Sequence, residues 1–166
     1  MFSNTDKFSE SALHFKEFGC YTKEPTYSKA WKLFWEREKD RCLNGLDLGF
    51  EKITGFHYNY LNYAPILQTE VIEENEEEGI LNQAKRVKGF AKFYDGQYDF
   101  FWYIHEGRKL GRHAVLLGSR SKGKSLMIAS MGVRNYHHIR NSKTYYVTSG
   151  EKYLLGDGIL PKVWDM

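Results

Sequence analysis

Gly118-Ser119-Arg120-Ser121-Lys122-Gly123-Lys124-Ser125 decides how this chain is read. It has the form G-x-x-x-x-G-K-S, the phosphate-binding loop pattern. Its glycines let the backbone wrap closely, so that successive N–H groups can converge on phosphate oxygens. In that reading Gly118 to Ser125 cradle ATP, Lys124 reaches the β- and γ-phosphates, and the Ser125 hydroxyl ligates Mg²⁺. The pattern has this meaning only between a strand and a helix. His113-Ala114-Val115-Leu116-Leu117 is a short apolar run without Pro or Gly, and predicts a buried parallel strand over 114–117. Ser125-Leu126-Met127-Ile128-Ala129-Ser130-Met131 opens a helix expected to reach about Arg140. Lys143 to Thr148 is rich in β-formers and predicts a second strand, closing a right-handed βαβ unit. The plain alternative is a Gly/Ser/Lys surface turn.

Working outward, 166 residues are one domain by length, and 42% hydrophobic with 16% aromatic content excludes wholesale disorder. The net charge of +3 does not by itself argue for nucleic-acid binding, but its distribution is uneven. Six glutamates crowd into 70–78, whereas the stretch from Lys85 to Lys152 is basic and suits an anionic partner, either nucleotide phosphate or a DNA backbone. Cys20 and Cys42 have no metal spacing and point to a reducing compartment. The N-terminal residues do not read as a signal peptide, and no apolar run approaches the length of a membrane span.

Upstream of the loop the chain divides into an arm (1–25), a helical and hairpin region (26–95) and an incomplete P-loop core (96–166). In the arm, helical character is expected around Glu10–Phe18, ended by Gly19. Residues 26–44 make the clearest helix, capped by Thr26 or Ser28 and stopped at Gly45. Tyr27, Trp31, Phe34 and Cys42 share one face, a core stripe or a base-stacking platform, and Glu36 to Arg41 line the opposite face with mixed charge. Residues 53–63 read equally as a strand or as a short helix capped by Thr54, with His57 a hydrogen-bonded structural histidine. Pro65 to Ile72 alternates as a strand, Glu73 to Gly79 is a solvated acidic turn, and Arg86 to Phe93 returns as a hairpin partner. A helix runs from about Gln97 to Leu110 and stops at Gly111, and a short one starts at Glu151.

Two residues near the loop have paired readings. Arg120 is either a cis arginine finger on the transferring phosphoryl group or a ground-state phosphate clamp facing solvent. Gln97, one helix and one strand before the loop, either reads adenine or simply begins a helix. His137-His138 is no metal pair, because adjacent helical residues point apart. After the loop only one further strand is legible, and it ends in Thr148-Ser149-Gly150 rather than in the acidic residues that hold Mg²⁺ and orient water. The chain reads as a fragment or a truncated reading frame.

The order of blocks carries a resemblance. Trp31-Lys32-Leu33-Phe34-Trp35-Glu36-Arg37-Glu38, then Ile53-Thr54-Gly55-Phe56-His57-Tyr58-Asn59-Tyr60-Leu61-Asn62, then Phe93-Tyr94-Asp95-Gly96-Gln97-Tyr98, then Leu116 to Ser125, and finally Thr144 to Leu154 resemble the N-terminal part of a tailed-bacteriophage terminase large subunit, the DNA-packaging motor. The resemblance spans roughly 26–166. It implies an α/β fold: a partial P-loop NTPase sheet of the RecA, additional-strand type, preceded by an aromatic-rich, mainly helical region. It also implies ATP and Mg²⁺ as cofactors, with Arg120 sensing or polarising the γ-phosphate, and Lys124 and Ser125 binding phosphate and Mg²⁺. The implied partners are double-stranded DNA, a portal protein, a small terminase subunit and further copies in a ring, acting in the host cytoplasm. The family's acidic Walker B pair, catalytic glutamate, coupling motif and nuclease are not legible, so nucleotide binding is expected here and turnover belongs to the family. The alternatives are another P-loop NTPase or kinase fragment, or a non-enzymatic DNA or protein interaction module.

Overall fold

The helix built on Gly55-Phe56-His57-Tyr58-Asn59-Tyr60-Leu61-Asn62-Tyr63 is the centre around which the other elements pack. A computed structural model describes residues 5–49, 51–71, 84–119 and 122–166. In chain order it contains a 3-10 turn (Thr5–Ser9), α1 (Glu10–Phe18), α2 (Lys29–Asn44), β1 (Leu46–Asp47), β2 (Lys52–Ile53), α3 (Gly55–Tyr63), β3 (Ile66–Val71), β4 (Ala84–Gly89), α4 (Asp95–Lys109), α5 (Lys124–His138), α6 (Glu151–Leu154) and α7 (Ile159–Asp165). Among the described residues no helix is long and apolar enough to cross a membrane.

The ambiguity over 53–63 resolves as helix. Thr54 is its N-cap, with the His57 amide donating to Thr54 Oγ1 at 3.3 Å. All residues from Gly55 to Asn62 are buried, which is why their apolar positions show no single-faced period. Gly55 is required by a close approach: a Cβ there would lie 2.4 Å from Cys42 O and 2.6 Å from Leu43 O. The start of α3 therefore abuts the end of α2 backbone to backbone.

The segment read as an arm contributes to the core. α1 spans the expected residues, and Gly19 ends it in the left-handed conformation, its N–H donating to Phe15 O. Phe8 and Ala12 are buried. Asn62 ties this segment to α3: its Nδ2 donates to Phe8 O at 2.8 Å and its Oδ1 accepts from the Ala12 amide at 3.0 Å. In α2, Ser28 is the cap, accepting from Trp31 N at 3.1 Å. The face read as mixed charge departs from expectation at Glu38, which is buried.

The hairpin forms, but its second strand is Ala84–Gly89 rather than 86–93. β3 and β4 pair antiparallel from Ile66 opposite Gly89 to Val71 opposite Ala84. The acidic turn between them lies outside the described residues. β1 and β2 make a second, minimal antiparallel pair between α2 and α3.

The fold class is mixed α/β, mostly helical, with these two small antiparallel sheets. The parallel P-loop sheet is the main correction. Among the described residues neither 114–117 nor 143–148 enters a ladder. A lone strand leaves its backbone groups to solvent unless a neighbour supplies a matching edge. Both segments run over the surface, with Leu117 91% and Val147 95% exposed. Each is held by side-chain bonds: the Val115 amide donates to the Tyr103 hydroxyl at 3.4 Å, and the Tyr146 hydroxyl donates to Ala129 O at 3.4 Å. Gly132 leaves room for that tyrosine, since a Cβ there would meet Tyr146 Oη at 2.0 Å.

Candidate functional site

The loop leads directly into α5, as the motif requires. Gly123 takes the left-handed conformation at φ 72° and is the residue preceding the helix. Lys124 and Ser125 occupy its first two positions. The first-turn N–H groups of a helix have no intrahelical acceptor and carry the positive end of its dipole, so they favour an anion.

Lys124 folds back over its own loop. Its ammonium donates to Gly118 O at 2.9 Å and also to Ser119 O. The lysine thus bridges the two ends of the 118–124 turn. An ammonium has three donors, and two are engaged here. Lys122 and Ser125 are exposed. Arg120 and Ser121 lie outside the described residues.

Gln97 lies on the same site. A pocket of about 620 Å³ is lined by Gly118, Lys122, Gly123 and Lys124 of the loop together with Tyr94, Gly96 and Gln97. That volume is in the range of small-molecule sites. Tyr60, Phe100, Leu116, Leu126 and Met127 give it a largely apolar wall. Gln97 also begins α4: its Oε1 accepts from the Tyr94 amide at 3.2 Å, the reciprocal half of a capping box. The plain reading of Gln97 as a helix start is therefore present, and the residue also lines the pocket.

Tyr60 and Tyr94 were not singled out from the sequence. Tyr60 is buried beneath the loop, its Oη 3.9 Å from where a Cβ on Gly123 would sit. Burial, with the Tyr94 hydroxyl nearby, pushes its pKa up to about 12, so it remains a neutral donor. The only available signal was its place three residues after His57 on a helix whose type the sequence left open.

His57 supports this wall from behind. Its ring stacks between Phe93 (4.9 Å, 29°) and Phe101 (5.1 Å, 25°). Neither ring nitrogen has a partner in hydrogen-bonding geometry, contrary to the expected hydrogen-bonded histidine. Burial drives its pKa down to about 3, offset only in part by the adjacent Gln97 side chain, so the ring is neutral at pH 7.

Among the described residues no carboxylate lines the pocket. Among the described residues there is also no group of three His, Cys, Asp or Glu able to hold a metal. Ser125 offers one hydroxyl oxygen. Mg²⁺ takes six ligands and commonly draws most of them from phosphates and water, so a serine at this position fits a metal that arrives with its nucleotide. The described lining thus sets a lysine and a helix N-terminus beside a mostly apolar wall.

No family model, curated protein or solved structure matches the chain.

Proposed function

We propose that this chain binds ATP, with Mg²⁺, in the pocket between the 118–125 loop and the start of α4, as the nucleotide-binding part of a terminase-like DNA-packaging ATPase. One observation carries the reading: the phosphate loop and Gln97, separated by more than twenty residues, line the same pocket. In this reading the loop amides and the third donor of Lys124 take the phosphates. Gln97 and Tyr94 border the adenine. Ser125 holds the metal, which supplies charge neutralisation between phosphate oxygens. Arg120 belongs to the same loop by sequence, and its proposed part is contact with the γ-phosphate. The neutral Tyr60 hydroxyl supports the turn at Gly123 from below.

The packaging assignment rests on the order of the aromatic blocks and the loop. Its proposed partners are double-stranded DNA, a portal protein, a small terminase subunit and further copies in a ring. The absence of a carboxylate among the described lining residues favours binding over turnover by these residues alone. A non-enzymatic interaction module is favoured by one feature, the exposed apolar side chains of the 114–117 and 143–148 segments.

Calorimetric titration with ATP and MgCl₂ tests the nucleotide reading. Saturable binding is expected, weakened by about tenfold or more in Lys124→Ala, a loss of about 1.4 kcal/mol. No heat on titration of the folded wild type would sink the reading in favour of the interaction module. A change in ATP affinity on adding double-stranded DNA is expected for a packaging ATPase.

A further inference from the structure

Tyr60 enters the phosphate-loop site from beneath, out of the buried helix α3. It is 2% exposed and lines the same pocket as the loop. Its ring is held in the core, with its centroid 5.6 Å from that of Phe101. The end of the ring that carries the hydroxyl is the end that meets the loop, with Oη 3.9 Å from where a Cβ on Gly123 would sit.

That hydroxyl has a hydrogen to give. Among the described residues it makes no hydrogen bond. The Trp102 indole N–H is also unpaired but is sealed from solvent; the Tyr60 hydroxyl is not sealed, and the pocket is the open space beside it. A nearly buried donor without a partner is costly, so a site that leaves one in this state is completed by an acceptor. Burial, with Tyr94 nearby, keeps the phenol neutral, and a neutral phenol donates to an anion.

The neighbouring groups identify the acceptor. Gly123 immediately precedes α5, whose first N–H groups favour an anion. Lys124 brings a positive charge and one donor that its own loop does not engage. Among the described residues no carboxylate lines the pocket to oppose them. An acceptor shared by a helix N-terminus, an ammonium and a phenol is an anionic oxygen rather than a base or sugar atom.

We infer that the Tyr60 hydroxyl donates to a phosphate oxygen of the bound ligand beside the first amides of α5 and Lys124, so that the site recognises its nucleotide by the phosphate chain. This rests on the ATP reading of the pocket and adds to the loop a donor supplied by α3.

The test compares wild type with Tyr60→Phe by calorimetry. ATP with MgCl₂, inorganic triphosphate with MgCl₂, and adenosine are titrated separately. Phenylalanine keeps the ring in the core and removes only the hydroxyl. Inorganic triphosphate is expected to bind the wild type saturably and to compete with ATP. Tyr60→Phe is expected to weaken ATP and triphosphate each by about tenfold. Adenosine is expected to bind at least about tenfold more weakly than ATP, and to the same extent in both proteins. A merely structural role for the hydroxyl would weaken all three titrants together, and that result overturns the inference. Equal ATP affinity in the two proteins also overturns it and leaves the ATP reading standing. A wild type that binds ATP but not triphosphate overturns it without the variant, so this result stands even if Tyr60→Phe fails to fold. A folded wild type that binds none of the three overturns the ATP reading and this inference with it.

Discussion

The Tyr58 hydroxyl donates to Glu38 Oε2 at 2.5 Å, joining α3 to α2 through a carboxylate that is buried in the core. Tyr63 and Ser11 donate to the same oxygen at 2.7 and 2.9 Å, and Arg41 to the other at 2.9 Å. Burial alone raises the carboxyl pKa, but the hydroxyl donors and the Arg41 charge outweigh it, and the net shift is below the ordinary value of 4.5. A charge with this many donors is satisfied, whereas the donors without the charge are not.

Glu38→Ala therefore strands three hydroxyls and a guanidinium. It should lower unfolding stability by about 3 kcal/mol or more, read from urea denaturation at pH 7. In the wild type the contribution of Glu38 is complete above its ordinary pKa. It is lost as pH falls through the lower folded value, because the unfolded chain takes up the proton first.

His57 gives a second pH dependence of the same sign. Its folded pKa of about 3 lies below the ordinary 6.5, so between these values the unfolded state binds a proton that the folded state does not. Stability should fall by about 1.4 kcal/mol per pH unit on acidification below 6.5. His57→Phe keeps the ring between Phe93 and Phe101 and removes two unpartnered nitrogens. That variant is expected to be at least as stable as wild type and to show a flatter profile between pH 4 and 6.5. An unchanged slope would mean that another group carries the dependence.

Arg134 closes the end of α2. Its Nε donates to Cys42 O at 2.8 Å and its Nη2 to Leu43 O at 3.0 Å, with the guanidinium 4.5 Å from the Phe56 ring centre. Arg134→Met retains much of the volume and leaves two helix-terminal carbonyls without this donor. A loss of about 2 kcal/mol is expected in thermal or chemical unfolding. Arg134→Lys should recover only part of it, since one ammonium cannot reproduce the planar two-nitrogen fork.

Gly55→Ala tests the contact those same carbonyls make with α3. The added methyl has to displace backbone rather than a flexible side chain. Destabilisation of about 2 kcal/mol or more is expected, although alanine is the better helix former. A neutral result would show that α2 and α3 can separate without cost.

Leu117 and Val147 are the most exposed apolar positions of the two unpaired segments. Leu117→Lys and Val147→Lys together should lower self-association at high protein concentration, measured by light scattering, with little change in unfolding midpoint. A large drop in midpoint would mean that these side chains are buried in solution.

Local signals were legible in the sequence because they are satisfied locally. Ser28 caps α2, Gly19 ends α1, and the first strand of the hairpin follows the alternation from Pro65 onward. The 118–125 pattern and the helix after it are also local: Gly123 takes a positive φ just before the helix, and Lys124 reaches back six residues to Gly118 O. Glu38 reads as part of a solvated face because its hydroxyl donors come from α1 and α3 and are invisible to the periodicity of α2.

The sequence by itself determined the phosphate-loop motif and most of the helices, since each depends on hydrogen bonds among near neighbours, and it showed the hairpin through the alternation of its first strand. Only the tertiary structure decided that Gln97 and the loop share a pocket, that α3 is a buried helix, and that Glu38 and Arg134 are core groups. It alone decided that 114–117 and 143–148 stay unpaired. A strand or a buried charge is fixed by partners distant along the chain, and no local run of residues states whether those partners arrive.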